Sequence, residues 1–179
     1  MKKLIKLTLV VAMTFGATAT LSAQKFARVN SQEIFAVMPE TAEMQKNLEA
    51  FGKDLNEQLE QIQVEFNNKV ADFEKNQATM APSVKQMKQQ ELQQLQARYG
   101  EFQQIAQQDF QRKQAELAEP IDKKLKASIA KIAKAGGYLG VFDTSVPSLI
   151  YFDAAAMTDI SAAVKKDLGI VETPAPAKK

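Results

Sequence analysis

The sequence has neither cysteine nor histidine among its 179 residues. The first absence excludes disulfides and thiol chemistry, and the second removes the commonest metal ligand and proton shuttle. Acidic pairs at helical spacing, such as Glu57 with Glu60, lie among glutamines and lysines, as on a solvated surface. No phosphate loop, Gly-x-Ser-x-Gly motif or paired metal motif occurs. The sequence therefore predicts a protein that is not an enzyme and that uses no metal or cofactor.

Proline is absent between residues 40 and 80, and Pro82 alone separates two long stretches with a shared apolar pattern. Apolar residues in both follow a 3-4-4 step: Leu48, Phe51, Leu55, Leu59, Ile62, Phe66, Val70 and Phe73, then Leu95, Tyr99, Phe102, Ala106, Phe110, Leu117 and Ile121. An eleven-residue repeat keeps a stripe on one side of a nearly straight helix. We therefore expect an antiparallel helical hairpin over residues 40–135, with its tip near 81–83 and Ser83 as a cap.

Glutamine occupies twelve positions between Gln86 and Gln114, but the 3-4-4 step continues through them and favours helix over low complexity. Pro120 predicts a bend where this arm meets the rest of the protein. The adjacent glycines Gly136 and Gly137 predict the end of this arm, because a left-handed helix cap suits glycine.

The first residues resemble a secretory signal peptide, because three lysines precede an apolar run and then small residues. We place the signal at residues 1–23, with cleavage after Ala23 or, as the alternative, after Ala19. A transmembrane anchor is disfavoured because the run is shorter than the ~20 apolar residues that span a bilayer. Removal of three lysines and no acid changes the formal net charge from +2 to −1. Such a chain has no general attraction for nucleic acid.

The two ends of the chain predict a small body, formed by residues 24–39 and 136–169. Residues 25–30 alternate as a strand, Asn30 can cap a short helix with Glu33, and Pro39 suits the first turn of the long helix. Residues 138–143 and 149–153 have the pattern of two paired strands, followed by a helix at 162–168 and a disordered tail at 170–179. The fold class is thus α+β, mainly α, with a long hairpin inserted into a small sheet body.

This order of elements resembles the Skp family, also called the outer membrane protein H family, of periplasmic chaperones. The resemblance covers most of residues 25–169. It is carried by Phe26-Ala27-Arg28-Val29-Asn30, by Gly137-Tyr138 with Val141-Phe142-Asp143, and by Ile150-Tyr151-Phe152 with Asp159-Ile160-Ser161, Val164 and Leu168. Family members usually have Asp-Ile-Thr where this chain has Asp-Ile-Ser. The best-known members are strongly basic, whereas this mature chain is near neutral.

The resemblance implies a homotrimer whose sheets form a central barrel and whose hairpins surround a cavity. In that cavity unfolded outer-membrane β-barrel proteins would be held, without ATP, before insertion. A body this small independently favours self-association, because its buried area is marginal. The body residues expected in the sheet core or at subunit contacts are Phe26, Val29, Val141, Phe142, Ile150 and Phe152.

Most of the apolar stripe is expected to form the seam between the arms, which leaves other apolar residues for client contact. These are Val64, Met80, Met87, Leu92 and Ile105. A lysine cluster, Lys123, Lys124, Lys126, Lys131 and Lys134, is interpreted as a solvated helix face, with weak membrane or lipopolysaccharide contact as the alternative. The alternative function is a structural adaptor of the cell envelope with one specific folded partner.

Overall fold

The computed structural model describes residues 25–146 and 150–171. The predicted signal peptide lies outside the described residues, as do residues 172–179 of the predicted tail and Leu149 of the predicted strand at 149–153. From Phe26 to Asp167 the described elements are strand β1 (Phe26–Val29), helices α1 (Ser31–Val37), α2 (Pro39–Asn76) and α3 (Pro82–Gly136), strands β2 (Gly140–Asp143) and β3 (Thr158–Asp159), and helix α4 (Ser161–Asp167).

Helices α2 and α3 form the predicted antiparallel hairpin. At 1.5 Å per residue, their 38 and 55 residues give lengths of about 57 Å and about 82 Å. Pro39 occupies the start of α2, where its missing N–H is not needed. Gly137 ends α3 with φ of 66°, and the next backbone N–H, of Tyr138, donates to the carbonyl of Ala133 at 3.0 Å. The sequence predicted both the start of α2 and the end of α3. The predicted fold class, α+β and mainly α, is confirmed.

The predicted capping role of Ser83 is wrong. Helix α3 begins one residue earlier, at Pro82, with Ala81 as the cap and no side-chain hydrogen bond at this end. The fixed φ of proline suits the first helical position, so Pro82 starts the helix and Ser83 falls inside its first turn. Asn30 does cap α1 as predicted, since its Oδ1 accepts a hydrogen bond from the backbone N–H of Glu33 at 3.0 Å.

The three described strands form one parallel sheet with β1 in the centre. Strand β2 pairs with one side of β1, aligning Ala27 with Val141, and β3 pairs with the other, aligning Arg28 with Asp159. The sheet therefore joins the N-terminal strand to two C-terminal strands, as the insertion of the hairpin requires.

The predicted pairing of two C-terminal strands with each other is wrong. The described residues 150–153 form no strand, and the third strand is Thr158–Asp159 instead. This strand is held by β1, because the N–H of Ile160 donates to the carbonyl of Arg28 at 3.0 Å and the Arg28 guanidinium lies 3.0 Å from Asp159. A two-residue strand of threonine and aspartate has no apolar alternation that would reveal it.

The core of the body lies where the sheet, the short helices and the base of α3 meet. Its buried members are Ala27, Val29, Ile34, Met38, Ile121, Leu125, Ile160 and Val164. The last four turns of α3, which follow Pro120, thus belong to the body as much as to the arm. Helix α3 continues through Pro120, which lies directly before the first core residue of α3. The predicted bend at this residue stays a prediction.

Candidate functional site

The apolar stripes of the two arms lie on the sides where α2 and α3 contact each other. Leu48 and Ile62 of α2 are buried, as are Leu95 and Ala106 of α3, and the other stripe residues named above are half-buried apart from Ile121, which is buried in the body core. The arms approach closely at Gly52, where a side-chain Cβ would lie 3.3 Å from the Phe110 ring. Stripe residues are therefore used for the seam, as expected.

Ion pairs link the arms on one flank of the hairpin. Lys69 of α2 donates to Glu91 of α3, and Arg98 of α3 lies 3.9 Å from Glu65 of α2. The hydrogen bond from Lys69 lowers the pKa of Glu91 and raises the pKa of Lys69. We refer to this side, which carries Glu65, Lys69, Glu91 and Arg98, as the charged flank.

A further ion pair closes the base of the hairpin. Lys124 of α3 donates to Glu40 in the first turn of α2, and this hydrogen bond lowers the pKa of the Glu40 carboxyl. The pair borders a cleft of about 310 Å³ that is also lined by Met44, Leu117 and Pro120. The cross-arm contacts from Glu40–Lys124 to Lys69–Glu91 keep one antiparallel register along most of the hairpin.

Three of the five predicted client-contact residues are exposed. The exposed fractions are 48% for Val64, 64% for Met87 and 43% for Ile105, whereas Met80 and Leu92 are half-buried. Leu92 precedes the buried Leu95 by three residues, so it continues the 3-4-4 stripe and faces the seam. Met80 lies in the turn at the tip, between α2 and α3.

The structure does not bring the three exposed residues together. Val64 lies on the side of α2 away from the seam, beside a shallow concavity lined by Glu57, Glu60, Gln61 and Asn68. Met87 and Ile105 lie on the charged flank of α3, 18 residues and therefore about 27 Å apart. Each is thus a separate apolar point on the arm.

The predicted body residues divide into two groups. Val29 is buried, and Phe26, Val141 and Phe152 are half-buried, but 38% of Phe142 and 96% of Ile150 are exposed. Phe142 contacts Phe26 with ring centroids 5.8 Å apart, and the Arg28 guanidinium lies 5.8 Å from the centroid of the Phe152 ring. Phe142 and Ile150 are therefore not core residues of the single chain, and their role at subunit contacts stays a prediction.

Three further apolar residues near strand β2 are exposed and were not among the predicted body residues: Leu139, Val146 and Tyr151. They flank strand β2 and the segment after it, next to Phe142 and Ile150. Val37, at the end of α1, is also exposed. Alternation along residues 138–142 could have separated an inward-facing from an outward-facing set, but the partner strand must be known to decide which set is inward. We refer to the exposed apolar side chains around and after β2 as the apolar surface of the body: Leu139, Phe142, Val146, Ile150 and Tyr151.

A polar network fixes the end of β2 against α1. The Asp143 carboxylate accepts hydrogen bonds from the backbone N–H groups of Ser31 and Ser145, at 3.2 and 3.0 Å, and from both hydroxyls. Burial alone would raise the pKa of Asp143, but these hydrogen bonds outweigh it and the pKa lies below its ordinary value. The network therefore fixes the end of β2, directly after Phe142.

Within residues 25–146 and 150–171, no cluster of acidic side chains could hold a metal ion. None of the helices in this part of the chain is both long enough and apolar enough to cross a membrane.

The model of the family described as "Outer membrane protein (OmpH-like)" matches residues 25–168, which extend from β1 through α4. The chain belongs to the OmpH-like family. Proteins named "Chaperone protein Skp" are similar to it over most of its length. The one from Yersinia enterocolitica is 25% identical over 158 residues, which are 88% of this chain and 94% of the relative. The one from Photorhabdus luminescens is 27% identical over 135 residues, 75% and 81% of the two chains.

A solved structure of an OmpH-like protein from Caulobacter crescentus has the same fold. It superimposes with a TM-score of 0.69 at 14% identity, covering 85% of this chain and 88% of that one. The names of these relatives are those of chaperones of the OmpH-like family, which are not enzymes, in agreement with the prediction from the residues.

Proposed function

We propose that this OmpH-like protein is an ATP-independent holdase that binds unfolded outer-membrane β-barrel proteins between its helical arms. The proposal rests chiefly on a long helical hairpin, on a small body, in a chain of the OmpH-like family. An unfolded barrel protein exposes alternating apolar residues and unpaired backbone groups. Arms that surround such a chain shield it through many weak contacts, without a deep pocket.

The length of the arms supports this role. Beyond Pro120 toward the tip, α3 has 38 residues, so the free part of the hairpin extends about 57 Å from the body. Such rods enclose a volume only if several stand around a common centre. The function therefore needs more than one copy of the chain.

Self-association is proposed to use the apolar surface of the body. Leu139, Phe142, Val146, Ile150 and Tyr151 are exposed in the single chain, and contact between copies would remove them from water. The number of copies, three, follows from the resemblance to the Skp family. The hairpins of a homotrimer would then surround one cavity.

Within that cavity, Val64, Met87 and Ile105 are proposed to contact the client, with Met80 adding a contact at the tip. The exposed side chains can do so without opening the seam. Leu92 is half-buried and serves the seam first. Since these residues are separate points, each contributes a weak and adaptable contact, which suits a protein that binds many different clients.

The lysine cluster at the base of α3 supports no lipid site. Four of its five lysines, all except Lys134, form ion pairs: Lys123 with Glu119, Lys124 with Glu40, Lys126 with Asp122, and Lys131 with Asp167. Paired lysines present little net charge to a membrane or to lipopolysaccharide.

With its predicted signal peptide, the protein is proposed to work in the periplasm.

The proposal is tested with the mature chain, beginning at residue 24. Several unrelated outer-membrane proteins, unfolded in urea, are diluted with and without it, and their light scattering is followed while sedimentation gives the mass of the assembly. We expect a mass of three chains and suppression of aggregation for each client at near-stoichiometric amounts. Failure to keep any of them soluble, or binding to a single folded partner alone, would favour the adaptor function instead.

A further inference from the structure

One side of helix α3 is free of charge for about eight turns. We call it the glutamine face, and its members that follow one another along the helix are Gln86, Gln89, Gln93, Gln96, Gly100, Gln103, Gln107, Gln111 and Gln114, with Gln104 at its edge. These nine residues follow one another at steps of three or four, so at 100° per residue they lie within a sector about 100° wide. All nine are exposed. The face is therefore a continuous polar surface about 42 Å long.

The charges of the same helix stretch lie elsewhere on its circumference. Between residues 86 and 114 they are Lys88, Glu91, Arg98, Glu101, Asp109, Arg112 and Lys113. All of them except Glu101 form ion pairs, within α3 or with α2, for example Arg112 with Asp109 at 2.7 Å and Lys113 with Glu116 at 3.2 Å. The charges of this stretch thus lie outside the sector of the glutamine face.

The amides of the glutamine face are not used within the single chain. In the described helix, the side-chain hydrogen bonds of α3 come from its charged residues and Ser128. None of the eight glutamines of the face takes part in one. Each side chain can therefore offer two N–H donors and one carbonyl acceptor to another molecule.

We infer that the glutamine face binds the backbone of an extended, unfolded polypeptide. A glutamine amide has the donors and acceptor of a peptide group, so it can bond to any stretch of chain whose N–H and C=O groups are unpaired. Without charge, the face does not select clients by their net charge. The inference rests on the proposed function and specifies which surface of the arm recognises the client and by which chemistry.

Gly100 supports this assignment from the middle of the face. A Cβ built there would meet nothing within 4 Å, so no packing requires a glycine. Glycine is costly inside a helix, because it loses more backbone entropy on folding than other residues. Its absent side chain leaves room for a bulky client residue between the glutamines on either side.

Other occupants fit the face less well. A membrane surface would need apolar or basic side chains, and the glutamine face has neither. A second copy of the chain would have to match amide with amide along about 42 Å, while the body already offers an apolar surface for association. An unfolded polypeptide, by contrast, supplies the peptide groups that these side chains can bind.

A matched pair of triple variants tests the inference. Gln93→Glu, Gln103→Glu and Gln111→Glu place three charges on the face. Gln90→Glu, Gln94→Glu and Gln108→Glu make the same change at exposed positions of α3 outside it. The probe is a urea-unfolded eight-stranded barrel protein whose aggregation is followed by light scattering. We expect the face variant to need several-fold more chain for half-suppression, and the control variant to stay within twofold of the unmodified protein.

The same assay is repeated at low and high salt concentration. Because the contacts are not ionic, we expect suppression by the unmodified protein to change less than twofold between about 0.05 and about 0.5 M NaCl. Should the face variant lose helix by circular dichroism, Gln→Ala changes at the same three positions replace it, since alanine favours helix but lacks the amide.

The outcomes separate this inference from the proposed function. If the unmodified protein suppresses aggregation and the face variant does so equally well, the inference is wrong while the function stands. A changed sedimentation mass for the face variant alone would identify the face as a contact between copies, which also overturns it. If the unmodified protein suppresses nothing, the proposed function itself fails.

Discussion

At the scale of single residues, exposure separates the apolar side chains proposed to contact a client from those that hold the arms together. Replacing Val64, Met87 and Ile105 together by serine should weaken suppression of barrel-protein aggregation several-fold. Thermal unfolding should change little, because all three side chains are already exposed. Light scattering and circular dichroism measure the two effects on one sample.

Leu92→Ser is the contrasting variant. Its side chain is half-buried beside the seam, so serine should destabilise the hairpin by about 1–3 kcal/mol. If the variant with serine at positions 64, 87 and 105 suppresses aggregation as well as the unmodified protein, none of these three residues belongs to the client site. The sequence placed Leu92 with the client residues because its stripe was taken to start at Leu95, and the structure extends the stripe by one more step.

Asp143 gives the body an acid-sensitive part. Because hydrogen bonds from Ser31 and Ser145 hold its folded pKa below the unfolded value of about 3.9, its contribution to stability is fully present above that value. It is lost as the pH falls through the folded pKa. We therefore expect Asp143→Asn to lower the melting temperature at pH 7. The difference in melting temperature between the variant and the unmodified protein should narrow as the pH falls below about 3.9. If this difference in melting temperature stays constant as the pH falls, the carboxylate of Asp143 is not the cause of the lower stability.

At the scale of secondary-structure elements, two glycines in the arms have opposite surroundings. Gly100→Ala should raise the stability of the hairpin by about 0.5–1 kcal/mol, because alanine lowers the entropy cost and meets no neighbour. Gly52→Ala should stabilise the hairpin less, or destabilise it, since its Cβ would lie 3.3 Å from the Phe110 ring. Urea unfolding followed by helical circular dichroism compares them. Equal gains would mean that the arms do not pack closely at Gly52.

The helices could be predicted from the sequence more fully than the strands. The eleven-residue repeat, Asn30, Pro39 and Gly137 are local signals, and each specified its element. Strand pairing depends instead on residues more than a hundred positions apart, so residues 149–153 were a plausible strand by composition although Thr158–Asp159 pairs with β1. The glutamine face could also be predicted from the sequence, because its spacing is helical, although a glutamine-rich composition alone does not reveal which positions share a side.

At the scale of the whole molecule, the apolar surface of the body is expected to join copies of the chain. Phe142→Ser should reduce the sedimentation mass toward that of one chain, because it removes an aromatic ring from that surface. Val84→Ser is a suitable control, since Val84 is 39% and Phe142 is 38% exposed, but Val84 lies near the tip of the arm. An assembly of unchanged mass in the Phe142 variant would place the contact elsewhere.

The central position of β1 has a consequence for the order of folding. Its partners β2 and β3 lie more than a hundred residues downstream, so the sheet cannot close until almost the whole polypeptide is available. The helical hairpin needs only neighbouring segments, and its formation brings Phe26 and Gly140 near each other without a search through a long flexible loop. The rods should therefore fold first and act as the template on which the sheet assembles. A nascent chain would have finished arms before it has a finished base.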